Sequence, residues 1–311
     1  MINKTEHEIM QNWKGNLDKP VLSVCCTTYN HAPYIAEAID GFLMQETDFP
    51  FEILIRDDCS TDKTAEIVKQ YADQYPQLIK PVYEKENTFS KGVKPMPVLY
   101  KKALGKYIAL CEGDDYWTDH FKLQAQVDFL EENDEYVITY TSVEAFDENG
   151  IVKDYVGGAT RDLEKDELQR TTPINTLTTC FRNVIGEVPK EFQCTQYGDL
   201  FIWSLLGAHG KGKFLADISP SRYRIHEGGI HSKKTDEIRL EMWSLSCAAL
   251  YLYHARVGNK ELAEHFKKYI FGPDIFKIML EKISTKKLIK LTLKIIRHRI
   301  RQKVKNFFRM S

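Results

Sequence analysis

Apolar segments of two kinds alternate through the first part of the chain. Continuous β-rich runs predict strands over 20–28, 51–56, 79–83 and 107–110. Between and after them, apolar residues recur every three or four positions, which predicts helices that follow the strands, for example over 96–104 and 122–131. Alternation of strand and helix is typical of βαβ units, so we expect an α/β fold with a mainly parallel sheet.

The pattern is less regular after the fifth predicted strand, which covers 137–143. The stretch 147–172 is polar and indicates a loop or linker, and 222–232 indicates a second, glycine-bearing loop. A helix is expected to start at Asp199, a strand to cover 213–218, and a long helix to cover 237–256 with more helix after it. The second half of the chain therefore has fewer clear elements than the first.

Composition favours a globular protein of ordinary size. The chain has 311 residues, of which 43% are hydrophobic and 28% are charged, which is enough for a sizeable core. No apolar stretch reaches the roughly 18 residues that a membrane span needs, and the polar first 19 residues do not have the pattern of a signal peptide. The seven cysteines form no C-x-x-C pair, which favours reduced thiols in a cytoplasmic protein over disulfides or a zinc site.

The net charge of −1 hides a basic C-terminal segment. Residues 282–311 contain lysine and arginine but neither aspartate nor glutamate. Within 286–309, apolar and basic residues each step by three or four, which predicts a basic amphipathic helix. Such a helix suits an anionic membrane surface, here the inner face of the cell membrane. Packing on the acidic body of the same chain or on a partner subunit is the alternative, whereas nucleic acid is not expected because no stacking aromatic interleaves with the basic residues before Phe307.

Three carboxylates follow the strand over 107–110: Glu112, Asp114 and Asp115. Acids this close repel one another unless they stay in water or share a hard cation. Mg²⁺ and Mn²⁺ prefer oxygen ligands and commonly share them with substrate phosphates. The pattern is therefore compatible with a divalent metal that holds a diphosphate, and also with a solvated acidic loop.

Polar residues also follow the first two strands. Asp57 and Asp58 end the second strand, and Thr27, Tyr29 and Asn30 end the first, with groups that suit a base or ribose. In a parallel sheet these ends lie at one edge, where α/β proteins bind ligands. The chain has neither G-x-x-x-x-G-K-[ST] nor G-x-G-x-x-G, so a diphosphate bound here would depend on a metal instead of a glycine nest.

Four motifs follow one another along the chain: Val24-Cys25-Cys26-Thr27-Thr28-Tyr29-Asn30-His31, Asp57-Asp58-Cys59-Ser60-Thr61-Asp62-Lys63-Thr64, Glu112-Gly113-Asp114-Asp115-Tyr116-Trp117 and Tyr223-Arg224-Ile225-His226-Glu227-Gly228-Gly229. They occur in the order seen in family 2 glycosyltransferases, and the chain resembles that family over roughly 21–232. The resemblance implies a GT-A (Rossmann-like) fold, inversion at the anomeric carbon and a nucleotide-sugar donor, most often a UDP-sugar. It also implies a glycan or lipid-linked acceptor, as in polysaccharide biosynthesis.

The resemblance also implies roles for the donor-side residues. Thr27 and Tyr29 match positions that line the nucleobase, with Asn30 next to them, and Asp58 matches an acid that contacts the base or ribose, with Asp57 beside it.

Around the metal, Glu112, Asp114 and Asp115 match the D-x-D-like motif, with Glu in place of the usual first Asp. We assign Mn²⁺ or Mg²⁺ to Asp114 and Asp115, and Glu112 and Asp114 to the nucleotide sugar. Asp199 matches the catalytic base, here after Gly instead of Glu, and His226 lies in a loop that in relatives closes over the donor diphosphate.

These expectations divide the chain into three parts. A GT-A domain covers 1–232, with a nucleotide-binding half at about 20–145 and an acceptor half at about 146–232, and C-terminal helices cover 233–311. Two other classes of function remain as alternatives. A nucleotidyltransferase also uses strand-end acids and a metal, although 27–33 lacks the glycines of its phosphate loop. A non-catalytic glycan-binding or scaffold protein could keep the same fold.

Overall fold

The computed structural model describes residues 4–155, 157–229 and 234–270. Within these ranges a mixed, mostly parallel sheet of seven strands is flanked by helices, which confirms the predicted α/β fold. Its strands are β1 (Leu22–Thr28), β2 (Phe51–Asp57), β3 (Ile79–Tyr83), β4 (Tyr107–Leu110), β5 (Tyr136–Thr141), β8 (Cys180–Arg182) and β9 (Lys211–Leu215). A small second sheet contains β6 (Val143–Asp147), β7 (Gly150–Ile151) and β10 (Ser221–Arg224).

The order of strands across the large sheet is β3-β2-β1-β4-β8-β5-β9. All neighbours are parallel except β8, which runs antiparallel to β4 and β5. The order reverses at β1, where β2 lies on one side and β4 on the other. This switch point is where open α/β sheets bind ligands, outside the carboxyl ends of the strands.

The described helices are α1 (Glu6–Met10), α2 (Ile35–Leu43), α3 (Thr64–Gln74), α4 (Met96–Tyr100), α5 (Lys122–Glu132), α6 (Lys165–Gln169), α7 (Gly198–Leu206), α8 (Asp236–Arg256) and α9 (Lys260–Ile270). They form two apolar cores, one on each face of the sheet. Adjacent residues of β1 show the division, since Cys26 packs in the core with α2 and α3 and Cys25 in the core with α4 and α7. Burial on both faces explains why the central strands are mostly apolar.

A glycine lets the loop before β4 pass close to β1. A Cβ on Gly105 would lie 2.5 Å from the amide nitrogen of Ser23 and 2.7 Å from the carbonyl carbon of Leu22. The Gly105 amide also donates to the Ser23 hydroxyl at 2.9 Å. A side chain at this position would push β4 away from β1, and the acidic turn that follows β4 would move with it.

Parts of the second half differ from the pattern-based prediction. The stretch 147–172, expected to be a loop, contains β7 and α6, and Leu163 forms a bridge with Gly212 of β9. The loop expected over 222–232 begins as β10, which pairs in parallel with β6. These elements are short and polar, and pairing with neighbours defines them more than hydrophobic periodicity does.

The C-terminal helices α8 and α9 pack against each other and against the core that contains α7, which confirms a helical C-terminal appendage. In the part of the chain described, no helix combines the length and apolarity needed to cross a membrane. The predicted basic helix over 286–309 lies outside the described residues. The boundaries of the nucleotide-binding and acceptor halves stay a prediction.

Candidate active site

The ends of β1, β2 and β4 meet at one edge of the large sheet. Thr28 pairs in register with Asp57, and the amide of Asp58 donates to the Thr28 carbonyl at 3.1 Å. On the other side of β1, the amide of Gly113 donates to the Thr27 carbonyl at 3.0 Å. A Cβ on Gly113 would lie 2.9 Å from the Thr28 hydroxyl, so glycine permits this approach. The three polar segments predicted to share a site are therefore adjacent.

Asn30 and Asp57 hold the loops together at this edge. The Asn30 side-chain oxygen accepts from the Thr61 amide at 2.8 Å, and the backbone of Asn30 is left-handed, with φ of 54°. Asp57 is buried and accepts from the amide and the hydroxyl of Ser60. Both side chains thus have structural partners within the loops. Tyr29, in contrast, is 39% exposed and free to face a ligand.

Asp58 lies at the centre of a buried polar network. One carboxylate oxygen accepts from Arg56 at 2.8 Å and from the amide and hydroxyl of Thr88, and the other accepts from the Phe89 amide at 2.9 Å. Burial opposes ionisation of Asp58, but the Thr88 and Phe89 hydrogen bonds and the Arg56 charge outweigh it and lower its pKa. Asp58 therefore fixes the segment after β3 against the end of β2.

Two histidines from distant parts of the chain flank Asp114. Its Oδ2 lies 3.0 Å from Nε2 of His226 and 3.7 Å from Nε2 of His31. The rings of His226 and Tyr34 are 4.8 Å apart, centroid to centroid. Burial opposes ionisation of Asp114, but the neighbouring histidines outweigh it and lower its pKa. The predicted juxtaposition of the acidic turn with the His226 loop is present in the structure.

Arg224 and Asp115 fasten the His226 loop to the acidic turn. The buried Asp115 carboxylate accepts from the Arg224 amide at 2.8 Å, and the Arg224 side chain donates to the Asp114 carbonyl at 2.9 Å. The guanidinium also lies over the rings of Tyr34 (4.6 Å) and Phe146 (4.5 Å). Burial and the adjacent acids raise the pKa of Asp115 well above its usual range.

Glu112 and Asp199 both have raised pKa values. Burial and then the Asp114 charge raise the pKa of Glu112 to about 8, and Asp199 contributes to the same shift. Burial raises the pKa of Asp199 to about 6, although backbone amides at the start of α7 favour its charged form. The charges of Asp114 and Asp199 therefore both act on the Glu112 carboxylate.

His31 and Arg224 belong to this site although neither was singled out from the sequence. Both lie in motifs that carried the family resemblance, but their residue types gave no separate signal. Their role comes from tertiary contacts, since His31 reaches Asp114 from the β1–α2 loop and Arg224 reaches it from the end of β10.

Trp117 is buried and donates to the Leu177 carbonyl at 2.7 Å, so it is a packing residue.

The described residues contain no group of three or more His, Cys, Asp or Glu side chains arranged to hold a metal by themselves. Asp114 Oδ2 and His226 Nε2 do converge, and both atoms are partly accessible. A carboxylate oxygen suits Mn²⁺ or Mg²⁺ when substrate phosphates and water complete the shell, whereas an imidazole nitrogen suits a transition metal such as Mn²⁺ and not Mg²⁺. The site therefore fits a metal that is shared with a diphosphate.

Two solved structures share this fold. Staphylococcus aureus TarS, solved in complex with UDP, superposes with a TM-score of 0.58 and 20% identity over 87% of this chain and 77% of that one. The mannosyltransferase PcManGT from Pyrobaculum calidifontis, solved with GDP-Man and Mn²⁺, gives a TM-score of 0.55 and 15% identity over 94% and 86% of the two chains. These similarities confirm the GT-A fold.

Sequence comparisons give the family. An uncharacterized protein of Mycobacterium tuberculosis is 35% identical over 71% of this chain, and the match spans 63% of its own length. The putative teichuronic acid biosynthesis glycosyltransferase TuaG of Bacillus subtilis is 30% identical over 72% of this chain and 85% of its own. The model of the family described as "Glycosyl transferase family 2" matches residues 23–186. The chain therefore belongs to glycosyl transferase family 2.

Proposed function

We propose that this protein is an inverting glycosyltransferase that moves a sugar from a nucleotide sugar to a hydroxyl of a glycan or lipid-linked acceptor. One observation carries the proposal: Asp114 Oδ2 and His226 Nε2 converge at the sheet edge where β1, β2 and β4 end, and the charges of both Asp114 and Asp199 act on Glu112 of the same acidic turn. The pKa of Asp114 is lowered by its histidine partners, whereas burial raises that of Asp199 to about 6. Sites that separate the pKa values of neighbouring acids commonly give those acids different catalytic tasks.

The donor would bind across the ends of β1, β2 and β4. Thr27, Tyr29 and the segment held by Asp58 would take the nucleobase and ribose, and the diphosphate would lie toward Asp114 and His226. A UDP-sugar is the proposed donor, supported by the UDP complex of TarS, which shares the fold. The family's named member TuaG supports a polysaccharide precursor as the acceptor.

Asp114 would hold Mn²⁺ or Mg²⁺, and His226 would join it as a ligand of Mn²⁺, since their ligand atoms already converge. When bound, the metal neutralises charge that develops on the leaving diphosphate. The Mn²⁺ complex of PcManGT, with a related fold, supports a divalent ion here. Asp115, also predicted as a ligand, has one oxygen engaged with the Arg224 amide, so we propose that it mainly holds the His226 loop.

The chemical step needs one proton acceptor. The ionised Asp199 carboxylate would take the proton of the acceptor hydroxyl while the acceptor oxygen bonds to the anomeric carbon. The bond between that carbon and the diphosphate oxygen breaks as the new bond forms, and the electron pair leaves with the nucleoside diphosphate. A single displacement from the opposite face inverts the anomeric configuration.

A cytoplasmic location follows from a nucleotide-sugar donor, with attachment to the inner membrane surface through 286–309 as a further proposal. Liposome co-sedimentation tests this attachment with anionic vesicles. We expect the full chain to bind and a chain ending at residue 282 to bind much less. Equal binding by both would contradict it.

Thermal denaturation with UDP, GDP, CDP and TDP, each with and without Mn²⁺, tests the donor site. A ligand at about 100 times its dissociation constant adds ~2.7 kcal/mol of stability, which is several degrees for a chain of this size. We expect a shift with UDP that needs Mn²⁺ and is lost in Asp114→Asn. No shift with any nucleotide would favour the scaffold alternative, and release of pyrophosphate during turnover would favour a nucleotidyltransferase.

A further inference from the structure

Two backbone amides just before α7 are held by a side chain from another helix. Ser246, buried in α8, accepts hydrogen bonds from the amides of Gln196 (3.1 Å) and Tyr197 (2.9 Å). Its own hydroxyl proton goes to the Met242 carbonyl at 2.9 Å, within α8. Asp199 is the second residue of α7 and follows Tyr197 by two positions. The Ser246 hydroxyl thus joins α8 to the segment that precedes Asp199.

The start of α7 has no side-chain cap at its N-cap position. Tyr197, at the N-cap position, makes no side-chain hydrogen bond to cap the helix. The first amides of a helix lack intrahelical partners, so their surroundings decide how firmly the first turn is held. Thr195 donates to the Tyr197 carbonyl at 2.9 Å, and a Cβ on Gly198 would lie 3.0 Å from the ring of Phe192. The backbone before Asp199 is therefore positioned by these local contacts together with the Ser246 hydroxyl from α8.

α8 has other attachments that do not involve Ser246. Nε2 of His254 lies 3.1 Å from the Ser204 hydroxyl, which itself donates to the Gln169 carbonyl at 2.7 Å. At the end of α8, the Arg256 guanidinium forms a bidentate ion pair with the Glu191 carboxylate, with N···O distances of 2.6 and 2.9 Å. Loss of the Ser246 hydroxyl would release segment 196–197 while these contacts keep α8 in place.

We propose that Ser246 is a positioning residue for the base, which links the C-terminal helices to the chemical step. The inference rests on the proposed function, because it assumes that Asp199 accepts the proton. A base must lie within hydrogen-bond reach of the proton that it removes. Misplacement of a reacting group by about 1 Å can cost on the order of 10²-fold in rate. Donor binding, in contrast, uses the ends of β1, β2 and β4 and does not depend on α8.

The test compares Ser246→Ala with Ser204→Ala, a matched control in which another buried serine between α7 and α8 loses its hydroxyl. The assay follows UDP release from UDP-glucose, UDP-galactose and UDP-N-acetylglucosamine with Mn²⁺ and water as acceptor. With the fastest donor, we expect kcat to fall at least about tenfold in Ser246→Ala while the donor KM changes less than about twofold. Ser246→Thr keeps the hydroxyl and should restore most of kcat, and Ser204→Ala should keep kcat within about twofold of the original.

Hydrogen exchange adds a readout that needs no turnover. Peptides that cover 195–199 should exchange faster in Ser246→Ala than in the original protein or in Ser204→Ala. Unchanged exchange in Ser246→Ala, or a kcat and KM that match Ser204→Ala, would overturn the inference. An Asp199→Asn variant with undiminished kcat, or no hydrolysis of any donor by the original protein, would instead overturn the proposed function and the positioning role with it.

Discussion

His226 Nε2 lies 3.0 Å from Asp114 Oδ2, although the two residues are 112 positions apart in the chain. The contact joins the acidic turn after β4 to the loop after β10, and so connects the large sheet to the small one. An imidazole and a carboxylate that converge in a partly accessible site can share a cation with a diphosphate. The pair therefore forms the structural basis of the proposed donor site.

Removal of His226 should weaken metal binding. In His226→Ala, Asp114 loses its nearest partner, and we expect the dissociation constant for Mn²⁺ in the presence of UDP to rise about 10- to 100-fold. Titration calorimetry or Mn²⁺ electron paramagnetic resonance measures this directly. His209→Ala, at an exposed histidine, should leave it unchanged. Equal Mn²⁺ affinity in the two variants would exclude His226 as a ligand.

Arg224 should affect the metal site without being a ligand. Arg224→Ala removes the guanidinium that lies over Tyr34 and Phe146 and donates to the Asp114 carbonyl. We expect the His226 loop to lose its fixed position and Mn²⁺ affinity to fall roughly 10-fold, the lower end of the range for residues that orient ligands. Arg222→Ala, two residues earlier on β10, removes only a pair with Glu144 and serves as the control. A similar effect of both variants would mean that loss of positive charge alone matters.

Asp58 should contribute strongly to stability. Asp58→Asn leaves the buried Arg56 without its closest anionic partner, and we expect a loss of about 2–4 kcal/mol in the free energy of unfolding. Because the folded pKa of Asp58 is lowered, its contribution is present near neutral pH and is lost as the pH falls through that value. Urea unfolding measures both effects. Asp73→Asn, which removes an exposed pair with Lys69, should change stability by less than about 0.5 kcal/mol.

The ionised Asp199 carboxylate should lower the free energy of unfolding at neutral pH. Its pKa is about 6 in the folded protein and 3.8 ordinarily, so the folded state binds the proton more tightly. The free energy of unfolding should therefore fall as the pH rises from about 4 to 6. Asp199→Asn removes this dependence, and we expect it to be more stable at pH 7.5 by on the order of 1–3 kcal/mol. The gain should vanish below pH 4, and an equal gain at both pH values would contradict the raised pKa of Asp199.

The central strands could be predicted because burial on both faces leaves a mostly apolar, β-rich run, as in β1 and β2. β8, of three residues, and β10, with the sequence Ser-Arg-Tyr-Arg, have no such pattern. They become strands because neighbours offer them hydrogen-bonding edges. Their contribution to the site, including the position of Arg224, depends on tertiary pairing that periodicity does not reveal.

Prediction from the sequence was limited in a similar way at the candidate site. Acids at strand ends could be identified as a group because parallel strands end at one edge. The role of each residue in the group could not be predicted, because Asp57 and Asn30 are equally suited to loop hydrogen bonds and to a ligand. In the structure, both have hydrogen-bond partners within the loops. The support of the Asp199 segment by Ser246 spans about 50 residues and has no local signature.

The most direct test of the account is the rate of Asp199→Asn at a fixed level of bound donor. Wild-type turnover should rise with pH through about 6, as Asp199 ionises. In Asp199→Asn we expect kcat to fall by at least about 10²-fold, with UDP and Mn²⁺ affinity unchanged, whereas Asp217→Asn, at an exposed aspartate, should be fully active. An Asp199→Asn variant that binds UDP normally and keeps the wild-type rate would contradict the assignment of Asp199 as the base.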